Sequence, residues 1–307
     1  MYYFIVNPNS RSGKAALIWK DLEKVLCERN IEYKAFFTQY KGHAALLSAS
    51  VTENLPERST LKLIAVGGDG TIQEVLSGVS DLSRITFGYI PTGSGNDFCR
   101  SMKLPQDPME ALELVLSDKR PHPMDVPHIS CGSNSSRFAI SCGIGFDAAV
   151  CHEVGITPMK KVLNKIGLGK LVYLFVALKQ LLFLKPSPMT LTLDGNKKEE
   201  FSKVYFTAVM NQKYEGGGFK FCPDASPSDG YLDVIFVDSL SKPKVLCCLP
   251  TAFFGKHTHF HGIHIFRCKK IDIHSEAKLA VHKDGESAGL LYDFSVCMED
   301  RQINMIS

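Results

Sequence analysis

The sequence predicts an α/β unit on a parallel sheet, followed by a unit built mainly from antiparallel β-strands. Three observations carry this. A length of 307 residues amounts to about two domains at roughly 150 residues each. Strand-like and helix-like segments alternate as far as Leu116, the order that builds a parallel sheet covered by helices. Beyond Arg120, strand-like runs follow one another with few crossover helices between them, as in an antiparallel sheet.

The elements follow in order. Tyr2 to Asn7 is a short apolar run ending in a turn. Lys14 to Glu28 places Ile18, Leu22, Val25 and Leu26 at helical spacing. Ile31 to Thr38 reads as a strand, Ala44 to Val51 as a helix, Leu61 to Val66 as a buried strand and Thr71 to Val79 as a helix. Ile85 to Ile90 is again a strand and Pro108 to Leu116 a helix. Pro121, Pro123 and Pro127 suggest a linker. Strands are then expected at Arg137 to Ile144, Met189 to Leu193, Lys203 to Met210, Tyr231 to Val237, Ile263 to Ile273 and Leu290 to Met298. Helical material is expected at Phe146 to Val154, Lys160 to Leu184 and Lys242 to Phe254.

Composition narrows the function classes. With 45% hydrophobic and 22% charged residues the chain has ample material for packed cores. Thirty-five Lys and Arg against 32 Asp and Glu give a net charge of +3, too mild for a dedicated nucleic-acid binder. A mean hydropathy of −0.01 argues against an integral membrane protein. The apolar stretch Leu171 to Leu184 is broken by Lys179 and Gln180 and is shorter than the roughly 20 residues of a membrane span. Met1 to Val6 reads as a strand and not as a signal peptide. The ten cysteines contain no C-x-x-C, which fits reduced thiols in a cytosolic protein.

In parallel sheets, ligands bind beyond the carboxyl ends of the strands, and three polar segments fall there. Gly67-Gly68-Asp69-Gly70-Thr71 follows one strand and opens a helix. Its glycines let backbone approach a phosphate, and the N–H groups of a helix start attract anions. Asp69 is a carboxylate where phosphate is expected, which makes sense if Mg²⁺ lies between them; the plainer reading is a helix cap. Pro91-Thr92-Gly93-Ser94-Gly95-Asn96-Asp97-Phe98 repeats the combination after the next strand, or is an ordinary βα loop. Asn7-Pro8-Asn9-Ser10-Arg11-Ser12-Gly13-Lys14 closes the first strand and lacks the spacing of a Walker P-loop.

Together these segments resemble the diacylglycerol kinase catalytic-domain family of lipid kinases, which includes sphingosine kinases and soluble bacterial enzymes. The GGDGT core is shared with NAD kinases and phosphofructokinases, whereas the N-P-N-S start and P-T-G-S-G-N-D-F narrow it. Gly217-Gly218-Phe219, Pro223-Asp224-Ala225, Ser228 to Asp233 and Asp284-Gly285-Glu286 look like further landmarks of that family. The resemblance implies a nucleotide-binding α/β domain over residues 1–122 and 296–307, with the tail returning to it. A β-sandwich lipid-side domain would span 123–295. It implies an ATP-dependent kinase with Mg²⁺, acting on a lipid hydroxyl in phospholipid biosynthesis. Diacylglycerol is the leading acceptor; phosphatidylglycerol, a sphingoid base, NAD and a non-catalytic nucleotide-binding role stay open. Such an enzyme would be cytoplasmic and visit the membrane surface transiently, as a monomer or a homodimer.

Residue roles carry over from the same resemblance. Asn7, Pro8, Asn9, Ser10, Ser12, Gly13, Thr38, Gly67, Gly68, Asp69, Gly70, Thr71, Glu74 and Ser94 match nucleotide-contacting positions. Asp69 would help hold Mg²⁺ and phosphate, and Glu286 would be the general base; as a bare sequence feature Glu286 reads as a hairpin-turn carboxylate, because Asp284-Gly285 is a strong turn dipeptide. Ser226, Asp229 and the Tyr231 carbonyl match a second metal position, with Asp97, Asp125 and Asp284 as its supporting network. Arg11-Ser12 is a two-residue excess over the shorter family loop, which blurs whether Ser10 or Ser12 meets phosphate. His257, His259, His261 and His264 read as a solvated loop in preference to a metal cluster. Lys160, Lys161, Lys165 and Lys170 lead into an apolar run that is either a membrane-contact segment or a core helix with a basic start.

Overall fold

The computed structural model describes residues 1–53, 55–56, 59–93, 95–117, 119–156 and 169–307. Ser94, Lys160, Lys161 and Lys165 lie outside them. The chain begins with β1 (Tyr2–Val6), α1 (Ala15–Glu28), β2 (Tyr33–Phe37), α2 (His43–Thr52), β3 (Leu61–Gly67), α3 (Asp69–Gly78) and β4 (Ile85–Pro91). Short α4 (Asp97–Met102) and α5 (Pro108–Leu116) follow, the latter capped by the Asp107 carboxylate. Strands β1 to β4 are parallel. Trp19, Leu22 and Leu26 of α1 pack with Leu112 and Val115 of α5 on one sheet face, and Ile72, Val75 and Leu76 of α3 on the other. Each such buried side chain contributes about 1.5–3 kcal/mol, so the strand ends between these layers are rigid platforms for loops.

The second part contains β5 (His122–Met124), β6 (Pro127–Cys131), β7 (Asn134–Arg137), β8 (Ser141–Gly145), α6 (Phe146–Ile156) and α7 (Gly169–Phe183). Then come β9 (Ser187–Leu193), β10 (Lys197–Met210), β11 (Leu232–Asp238), α8 (Lys242–Ala252), β12 (Ile263–Cys268), β13 (Lys270–Lys283), β14 (Glu286–Met298) and β15 (Ile303–Met305). The first sheet has the order β2-β1-β3-β4-β15-β5. The second runs β12-β11-β10-β8-β13-β14-β6-β7, with β9 pairing β10 and β13 below β8. All its pairings are antiparallel. Register shifts in β10 and β13 bend these long strands, as bulges do, and the sheet closes sandwich-like on Val209, Phe236, Ile271, Val281 and Phe294. Among the described residues, no helix is long and apolar enough to cross a membrane.

Several expectations need correction. The proline-rich segment is not a linker: Pro123 lies in β5, at the edge of the first sheet, and Pro127 opens β6, both positions where a missing N–H is tolerated. The run Arg137 to Ile144 divides between β7 and β8, and Ile263 to Ile273 between β12 and β13, because turns interrupt both. The last strand pairs within the second sheet from Glu286 to Met298, so only β15 lies in the first sheet. The boundaries expected at 122/123 and 295/296 therefore fall inside β5 and β14. His257 is not solvated: it is buried, with Nε2 3.0 Å from the Phe221 carbonyl, and burial lowers its pKa. His264 pairs instead with Asp238 at 2.9 Å.

Candidate active site

Three loops leave β1, β3 and β4 side by side and touch one another. The Asn7 amide N–H donates to the Val66 carbonyl at 2.9 Å, and its side-chain Nδ2 donates to Thr71 Oγ1 at 3.2 Å. Thr92 and Gly93 N–H both donate to the Gly67 carbonyl, at 2.7 and 3.0 Å. A Cβ on Gly93 would lie 2.7 Å from Gly68 Cα, and one on Gly67 would lie 2.2 Å from Thr71 Oγ1. These glycines are therefore demanded by the packing of the protein's own loops, before any ligand is considered. The excess pair Arg11-Ser12 is absorbed in a single 3₁₀ turn, Ser10–Gly13, with Arg11 at φ 51°.

The loops form one side of a cleft of about 740 Å³. Asn7, Asn9, Ser10, Thr38, Gly68, Gly70, Thr71 and Glu74 line it from the first domain, and Ser135, Ser136, Lys283, Glu286 and Ser287 from the second. Pro8, Gly13, Gly67 and Asp69 are not part of that wall among the described residues; Ser94 lies outside them. Glu74 has a further task. Its carboxylate accepts the N–H groups of Gly42 and Ala44, at 2.8 and 3.2 Å, and so caps α2 and fixes the loop that carries Lys41.

Glu286 reaches this cleft because of a two-residue hairpin. Asp284 and Gly285 have φ values of 45° and 78°, the pair of positive values that a tight primed turn requires. The buried Asp284 carboxylate accepts N–H bonds from Ala139, Ile140 and Ser141 at 2.7, 2.8 and 3.0 Å, which anchors the turn. Burial still pushes its pKa up to about 6. Beyond the turn, Glu286 is exposed, its Oε1 3.6 Å from where a Cβ on Gly70 would stand, and its Oε2 2.6 Å from Lys41 Nζ. The hairpin-turn and active-site readings of Glu286 are thus compatible: the turn delivers the carboxylate to the first turn of α3.

Asp69 begins α3. Its Oδ2 accepts the Asp97 N–H at 3.3 Å, while Oδ1 is buried with no hydrogen-bond partner among the described residues. Burial, then the charges of Asp97 and Asp284, push its pKa up to about 7. Uncompensated negative charge of this kind suits a divalent cation with oxygen ligands, so the residues present fit Mg²⁺ here. They do not fit a second ion at Ser226, Asp229 and Tyr231. Asp229 is paired with Arg267, whose guanidinium lies 4.6 Å over the Tyr231 ring, with Lys269 Nζ at 5.4 Å. Asp97 is taken by Arg100 and by the Gly217 N–H, and Asp125 by Gln302 and the Gly230 N–H. Positive charge from side chains already stands where that ion was expected.

Sequence reasoning passed over four contributors. Lys41 has no motif around it, and only the fold brings it to Glu286. His282 lies two residues before Asp284, with Nε2 3.0 Å from Asp147 Oδ2 and 3.1 Å from Glu215 Oε1, all three buried. Burial alone would depress this imidazole; Glu215 and Asp147 outweigh it and bring it up to about 9. Its Nδ1 lies 3.3 Å from the Gly285 N–H, a weaker contact than two carboxylates. The triad ties β13, α6 and the 215–219 turn together directly behind the hairpin.

Comparison with known proteins agrees with this architecture. The model of the diacylglycerol kinase catalytic domain matches residues 1–129, and that of the YegS C-terminal NAD kinase β-sandwich-like domain matches residues 141–298. A Bacillus subtilis (strain 168) protein named "Putative lipid kinase YtlR" is 31% identical over 296 residues, 94% of either chain. The diacylglycerol kinase of the same organism is 27% identical over 288 residues, 92% of this chain and 89% of that one. A crystal structure from Bacillus anthracis str. Sterne, described as a "putative diacylglycerol kinase", superposes with a TM-score of 0.76 at 26% identity, covering 99% of this chain and 94% of that one. The chain therefore belongs to the diacylglycerol kinase catalytic-domain family of lipid kinases.

Proposed function

We propose that the chain transfers the γ-phosphate of Mg-ATP to a lipid hydroxyl, with diacylglycerol as acceptor and phosphatidic acid as product. The observation that carries this reading is Glu286 beside Gly70, a carboxylate at the mouth of a glycine-rich helix start. In this reading Asn7, Asn9, Ser10, Thr38 and the N–H groups of Gly68 to Gly70 receive the nucleotide phosphates, while the Thr71 N–H is held by the Gly68 carbonyl. Asp69 would hold Mg²⁺, which neutralises phosphate charge when bound. Glu286 takes the proton of the acceptor hydroxyl as its oxygen bonds to the γ-phosphorus and the bond to the β-phosphate oxygen breaks, leaving ADP. Lys41 moves from Glu286 to the phosphates as the nucleotide enters, freeing the base and adding positive charge where it is needed. The acceptor resides in a bilayer, so the enzyme works at a cytoplasmic membrane surface.

The test is transfer from labelled Mg-ATP into a fractionated lipid extract, with identification of the product. Labelled phosphatidic acid is the expected outcome. Label only in phosphatidylglycerol or a sphingoid base would replace the acceptor, and ATP binding without label in any lipid would overturn the kinase reading.

A further inference from the structure

Helix α7 is apolar on two sides. Val176 and Leu181, 1% and 4% exposed, pack into the core beside Val245 and Cys248 of α8. Phe175, Leu178 and Leu182 recur at i, i+3 and i+7 on another face and are exposed, and Phe183 after them is 75% exposed. A contiguous apolar patch left exposed marks an interaction surface. The exposed stripe continues onto α8. Lys242 Nζ donates to the Leu182 carbonyl, Leu246 stands one turn on, and Phe253 and Phe254 follow directly after the helix, the latter 73% exposed.

Charge identifies what covers this face. Residues 169–185 and 242–256 contain Lys170, Lys179, Lys185, Lys242, Lys244 and Lys256 and no Asp or Glu. Cores of protein–protein interfaces are depleted in lysine. The exposed Lys185, Lys244 and Lys256 beside these apolar side chains suit the headgroup region of an anionic membrane, which attracts basic residues near its surface.

The face is also wired to the cleft. Glu153 of α6 accepts from Lys179 Nζ and Gln180 Nε2 of α7, both at 2.6 Å. The preceding residue, His152, lies 3.1 Å from Ser287 Oγ, next to Glu286. On the α8 side Phe253 stacks on Phe219 at 4.1 Å, in the loop whose Gly217 N–H holds Asp97.

We infer that the α7–α8 face docks on an anionic phospholipid bilayer and so holds the cleft against the lipid it phosphorylates. This rests on the lipid-kinase reading for its purpose, but its test does not. Binding of the full chain to phosphatidylcholine vesicles, with and without phosphatidylglycerol, is measured by co-sedimentation without ATP. Binding is expected only to the anionic vesicles and to weaken with added salt. The double variant Phe183→Ser/Phe254→Ser should bind at least about tenfold more weakly, as loss of a buried aromatic contact implies. Lys244→Glu/Lys256→Glu should bind more weakly and lose most of the salt dependence. Both variants change exposed side chains, and unchanged thermal unfolding checks their folds.

Lipid labelling by variants that bind vesicles like the parent would overturn the docking face and leave the kinase reading intact. Vesicle binding that the variants lose, with no lipid labelled by the parent, would overturn the kinase reading and leave the face intact. A parent dimer that the aromatic variant dissociates, with no vesicle binding, would show the face to be a contact between copies and overturn the inference.

Discussion

Lys41 Nζ and Glu286 Oε2 lie 2.6 Å apart, joining residues 245 positions distant across the mouth of the cleft. Lys41 is held by the loop that Glu74 caps, and Glu286 by the hairpin that Asp284 anchors. The ammonium therefore occupies the approach to the proposed base until something more negative draws it away.

Glu286→Gln removes the proton acceptor and keeps the shape. Turnover should fall by about 10²–10⁴, the usual contribution of a positioned base. The unfolding temperature should hardly move, because an exposed ion pair is worth about 0–1 kcal/mol. Near-normal turnover in steady-state assays would remove Glu286 from the mechanism.

Lys41→Met should leave stability unchanged for the same reason and raise the KM for ATP more than it lowers kcat. A charge that contacts phosphate in ground and transition states alike acts as uniform binding, worth about tenfold or more in KM. An unchanged KM would confine Lys41 to the surface pair seen with Glu286.

Asp284→Asn keeps size but turns one acceptor into a donor facing backbone N–H groups. A loss of about 1–3 kcal/mol in stability is expected from the unsatisfied buried groups. Turnover should fall with it, since the hairpin that carries Glu286 loosens. Chemical denaturation and turnover measured on one preparation check both.

The His282 triad makes stability depend on pH. Folding raises the imidazole from 6.5 to about 9, so the folded chain holds a proton that the unfolded chain releases. Its contribution is full below pH 6.5 and is lost as pH rises through about 9. Glu215, which burial pushes up to about 7, acts in the same direction at lower pH. The urea midpoint should therefore fall between pH 7 and pH 9, and His282→Gln should flatten that slope while lowering the midpoint throughout.

Much of the first domain was legible because its signals are local. The spacing of Ile18, Leu22, Val25 and Leu26 announces α1, and Gly67 to Thr71 announces a strand-to-helix turn, without reference to anything distant. The second domain was less so. Turns at 138–140 and near Lys269 separate strands that share one apolar pattern, and proline at a strand start or sheet edge looks the same in sequence as proline in a linker.

The sequence by itself determined the elements and the polar loops at the strand ends, because hydrophobic periodicity and glycine stereochemistry act within a few residues. Tertiary structure alone decided which side chains meet. It set Lys41 against Glu286, gave Arg267 to Asp229 where a second ion was expected, enclosed His282 between two carboxylates, and left Phe175, Leu178, Leu182 and Phe183 of α7 exposed. Each of these is a through-space matter of charge and burial, reached by chain closure over scores of residues, and no local pattern encodes it.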